Sequence, residues 1–174
     1  MEWTGTKRLV IASLFLALGI LLPYFTAHMF ALPGTVLLPM HIPVLLAGLI
    51  CGPKIGFVVG MFTPVLSTAL TGMPPFFPML PIMFGELATY GFIGGLVFKK
   101  TNKIYPSVII AMLCGRITYG IIFTTLILTN EGPIQALGVM AAVTMGLPGI
   151  LIQLTVIPII VKAILKLRSG GDNG

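Results

Sequence analysis

The chain has 174 residues, of which 57% are hydrophobic and only 8% charged, with a formal net charge of +6. Its mean hydropathy is +1.10. That balance excludes an ordinary soluble domain and points to an all-α integral membrane protein, read as a single transmembrane domain over residues 1–174.

A helix needs about 20 apolar residues to cross a hydrocarbon core of ~30 Å. On that measure six spans are predicted, at 8–24, 37–51, 55–70, 79–98, 105–128 and 141–165. The first follows Lys7 and Arg8 and resembles a signal peptide in outline. It lacks a small-x-small cleavage site before the next apolar segment, so it reads as a retained helix. The second and third are short and divided only by "CGPKIG", where Gly52 and Pro53 supply a tight turn. A re-entrant pair would produce a similar pattern. The Pro-rich "TGMPPFFPMLP" that follows reads as a rigid, non-helical loop.

Basic residues accumulate in cytoplasmic loops. With six spans and both termini cytoplasmic, Lys7, Arg8, Lys54, Lys99, Lys100, Lys103, Lys162, Lys166 and Arg168 all fall on one side. The opposite loops, around His28, 73–78 and Glu131, contain no Lys or Arg. Five or seven spans would destroy this asymmetry. The positive charge is therefore an insertion signal, with some attraction to anionic lipid, and calls for no nucleic acid.

Polar chemistry inside the spans is sparse. Glu86, in "PIMFGELATYGFIGG", should lie ~12 Å below the outer face of the fourth span, and Arg116, in "CGRITYG", ~16 Å above the inner face of the fifth. In a ~30 Å core these depths nearly coincide. Consecutive spans joined by a short loop are antiparallel neighbours, so a Glu86–Arg116 contact is expected. Two readings follow: a structural ion pair, or charges lining a polar cavity and meeting a ligand. Tyr90 and Tyr119 stand one helical turn beyond Glu86 and Arg116 and share their faces. His41 begins the second span between Pro39 and Pro43, near the outer surface, where an imidazole is either simply solvated or bonded to a polar ligand. Asn130, Gln153, Thr118 and Thr144 complete the inventory, and helix-to-helix hydrogen bonding would account for several of them.

The sequence carries no phosphate-binding loop, no H-E-x-x-H and no G-x-S-x-G. Cys51 and Cys114 form no C-x-x-C and read as small packing residues. No catalytic residue, metal site or cofactor is expected on this chain. The two halves share no convincing similarity of the kind many secondary carriers show. Arg116 at the depth of Glu86 would keep the carboxylate ionised, which weakens a proton-shuttling role.

The start "TKRLVIASLFLALGILLP", the centre "LLPMHIPVLLAGLICGPKIGFVVG", the "GMPPFFP" loop and the fourth span "FGELATYGFIGGLVFKK" together resemble the substrate-binding S component of an energy-coupling factor (ECF) vitamin transporter, over essentially the whole chain. The resemblance implies capture of a water-soluble vitamin or precursor from outside a prokaryotic cell. It also implies a partnership with a transmembrane coupling subunit and two cytosolic ATPases, which hold the ATP. In such a protein the site is built mainly from the fourth to sixth helices, which maps it onto Glu86, Tyr90, Arg116, Tyr119, Asn130, Thr144 and Gln153. The loops after the first, third and fifth helices cover it, so that "FTAHMFALPG" and "TGMPPFFP" become lids, with Phe76 and Phe77 as stacking surfaces for a flat ring. An Arg116 free to face the cavity would suit an anionic ligand such as pantothenate. An Arg116 consumed by Glu86 would suit pyridoxine or a hydroxymethylpyrimidine. The family's A-x-x-x-A docking motif finds its best match at Ser13 and Ala17, with Ala12 beside them; apart from the resemblance this is a common packing motif. An autonomous proton-coupled carrier of a small metabolite and a ligand-free membrane scaffold are the alternatives.

Overall fold

The computed structural model describes residues 5–30, 37–129 and 146–170. Among the described residues all regular structure is helical: α1 (Gly5–Phe30), α2 (His41–Cys51), α3 (Pro53–Thr71), α4 (Met79–Thr101), α5 (Ile104–Thr129) and α6 (Leu147–Gly170). Five of them are long and apolar enough to cross a bilayer, and the 11-residue α2 is not. The six helices match the six expected segments; five have the length of a full span, and α2 rises only about 16 Å. Residues 141–145, expected in the last span, lie outside the described residues.

Local chemistry accounts for the short helix. Leu38 has a φ of 48°, and its carbonyl accepts a hydrogen bond from the His41 N–H. Pro39 follows at once, so the helix predicted from residue 37 starts only at His41. Pro43 falls in the first turn, where a missing N–H leaves no bond unmade. At the other end Gly52, at φ 98°, turns the chain, and Pro53 opens α3. Asn102, at φ 52°, likewise closes α4 in a left-handed cap before α5 begins. In the Pro-rich loop, Ser67 and Thr68 each donate to a carbonyl, of Met73 and Pro74 respectively, at 2.7 Å.

The bundle is apolar outside as well as in. α2 is apolar all round and nearly every residue of it is buried, which makes it the central helix. α5 buries one stripe, Val108, Ala111, Met112, Gly115, Tyr119 and Phe123, and turns Ile109, Leu113, Ile117 and Ile121 outward. Such an exposed face suits lipid tails.

Between helices in lipid, close packing replaces the hydrophobic drive, so small residues set the approach. A Cβ added at Gly91 would strike the Gly56 backbone, and one at Gly48 or Gly56 would strike the Gly91 carbonyl. At Gly95 it would meet the Gly48 carbonyl at 2.6 Å. α2, α3 and α4 therefore touch backbone to backbone. His41 is seven residues from Gly48 and Glu86 five from Gly91, which brings the start of α2 level with Glu86. That is ~10 Å below the first residue of α4, at 1.5 Å per residue.

Candidate functional site

Because α2 starts so deep, its first side chain meets the middle of α4 and not the surface. His41 is 1% exposed, and its Nε2 lies 3.6 Å from Glu86 Oε1. The imidazole stands edge-on to the Tyr90 ring, with centroids 4.9 Å apart. The expected position near the outer surface is thus corrected. Pro39 and Pro43 marked a helix start, but its depth depended on the glycine contacts below it.

Glu86 is 2% exposed, and its Oε1 stands 3.1 Å from Arg116 Nη1. The two depths therefore do coincide. Alignment is poor, however: Glu86 Oε1 makes no hydrogen bond, so the pair is held by charge alone. The Arg116 Cζ sits 5.9 Å from the centre of the Tyr119 ring. That distance is within cation–π range. Tyr119 stacks in turn on Phe123, at 5.9 Å and 15°. Tyr90 needs room beside Arg116, and Gly115 supplies it, since a Cβ there would run into the Tyr90 ring. This role for Gly115 was not anticipated; its signal was a glycine next to an arginine in the middle of a span.

The remaining candidates divide. Gln153 is 0% exposed, and both amide atoms lack partners, although no hydrogen bond or ion pair joins it to the Glu86 group among the described residues. Thr118 bonds Thr89 across α4 and α5 at 3.1 Å, a packing role. Phe76 and Phe77 are 77% and 51% exposed and are not brought onto the cluster. Asn130 and Thr144 lie outside the described residues. Ala12 faces the core, whereas Ser13 and Ala17 share an exposed face of α1 one turn apart.

Among the described residues, seven buried atoms have no hydrogen-bond partner: both nitrogens of His41, Glu86 Oε1, Arg116 Nε and Nη2, and both amide atoms of Gln153. Each unmet buried group costs about 1–3 kcal/mol, so native structures rarely leave several together. No His, Cys, Asp and Glu grouping fit for a metal ion occurs among the described residues. The arrangement is that of a membrane helix bundle with an enclosed polar cluster.

The sequence pattern described as "ECF transporter, substrate-specific component" matches residues 7–167. The chain belongs to that family, the substrate-binding subunits of ECF transporters. No curated protein and no solved structure matches it.

Proposed function

We propose that this chain captures a small water-soluble vitamin or vitamin precursor, of the class that includes pantothenate, pyridoxine and hydroxymethylpyrimidine, at the cluster of His41, Glu86, Tyr90 and Arg116, with buried Gln153 of α6 as a further candidate. It works in a prokaryotic plasma membrane with both termini cytoplasmic. A separate transmembrane coupling subunit and two cytosolic ATPases supply ATP-driven transport. The observation that carries this reading is the set of unpartnered polar atoms deep in an apolar bundle. A purely structural ion pair would have satisfied its own donors, as buried polar groups normally do.

Uptake of radiolabelled vitamins by cells expressing this chain, with and without a coupling module, tests the proposal. Uptake is expected only when the module is present. Equal uptake by the chain alone would point instead to an autonomous carrier.

Docking to the coupling subunit is assigned to the α1 face that carries Ser13 and Ala17, where small side chains permit close helix approach. Ser13→Trp should therefore lower module-dependent uptake by about tenfold or more, with ligand affinity unchanged, because binding and docking use different faces. Normal uptake by a well-expressed Ser13→Trp protein would move the docking face elsewhere.

A further inference from the structure

Arg116 has N–H groups on three nitrogens, and only Nη1 is engaged by Glu86. Nε and Nη2 are buried and have no hydrogen-bond partner among the described residues. These two nitrogens form one edge of the planar guanidinium, and their N–H bonds run parallel. Taking all of Arg116 as consumed by Glu86 is therefore too coarse: the ion pair uses one corner and leaves a complete two-donor edge.

We propose that the ligand carries a carboxylate, which docks side-on against the Nε and Nη2 edge of Arg116; this rests on the cluster being the capture site. A carboxylate presents two oxygens at the spacing of that edge and accepts both bonds at once, each strengthened by charge. A single water or a lone carbonyl meets the two parallel donors less well. Glu86 then acts as a positioning residue. Its ionic contact with Nη1 anchors one corner of the guanidinium, while the absence of a hydrogen bond there leaves the plane free to align with the incoming anion. Tyr90 and His41 pack edge-on against each other, and His41 Nε2 lies 3.6 Å from Glu86 Oε1.

The test uses the full chain in lipid nanodiscs. Small molecules released on denaturation are identified by mass spectrometry. Affinities are then measured for acids and their uncharged counterparts: pantothenate and panthenol, nicotinate and nicotinamide, biotin and its amide, and the released compound itself. The expected result is a released compound with a carboxylate, and a neutral counterpart that binds about 100-fold more weakly than its acid. Arg116→Lys keeps the charge facing Glu86 but removes the fork, and should weaken the acid about tenfold or more while the melting temperature holds. Should that variant fail to fold, the acid and neutral pairs on the unmodified protein still decide. A released compound without a carboxylate, or a neutral counterpart that binds as tightly as its acid, would overturn the carboxylate assignment and leave the capture site standing. No released compound and no binding of any probe would remove the capture reading itself.

Discussion

Gly91→Ala is expected to destabilise the protein by about 3 kcal/mol, and Gly91→Val to abolish accumulation of folded protein. Ordinary overpacking is relieved by rotating a side chain, but here the neighbour is backbone. A Cβ at Gly91 faces the carbonyl and Cα of Gly56, neither of which can swing away without moving α3. Gly48 and Gly56 would in turn meet the Gly91 carbonyl, so widening one contact opens all three. The damage should extend to binding, since pulling α4 from α2 separates Glu86 from His41. Gly120, with nothing within 4 Å of an added Cβ, is the control. Gly120→Ala should leave stability unchanged or slightly raised, by under about 1 kcal/mol, from helix propensity. Thermal melts and size-exclusion profiles in detergent read both. A Gly91→Ala melt that matches the unmodified protein would show that the three helices do not touch as described.

These glycines explain why the sequence was readable in some respects and not in others. Helix punctuation is local chemistry, so Gly52 and Pro53 announced the turn, and α4 and α5 begin within a residue of where apolar patterning put them. The Glu86–Arg116 contact was also accessible, because depth follows from residue count once two neighbouring spans are antiparallel. The depth of His41 was not. It follows from how far α2 slides along α4, which is set by which glycine meets which, and "AGLICG" and "YGFIGG" each offer more than one register. The first span was placed at 8–24, yet α1 runs past Pro23 to Phe30, with Thr26 donating to the Pro23 carbonyl at 3.0 Å. Phe76 and Phe77 are exposed in a loop that Ser67 and Thr68 tie to α3 through the Met73 and Pro74 carbonyls.

Glu86→Gln should lower stability by about 3 kcal/mol and also weaken ligand binding, and the two effects should separate in a double variant. Removing one member of a buried ion pair leaves the other charge uncompensated, which typically costs 3–5 kcal/mol. The low end applies because the Arg116 side chain is 16% exposed and keeps some access to solvent. Glu86→Gln combined with Arg116→Met removes both charges, so stability should return to within about 1 kcal/mol of the starting protein. Affinity should not return, because the double variant has lost the guanidinium edge as well as the residue that positions it. A purely structural pair makes a different prediction: the double variant would recover stability and bind its ligand normally. Unfolding curves and ligand titrations on the single and double variants therefore distinguish the two roles. Unchanged affinity in a well-folded Glu86→Gln protein would take Glu86 out of the site and leave it only a counter-ion for Arg116.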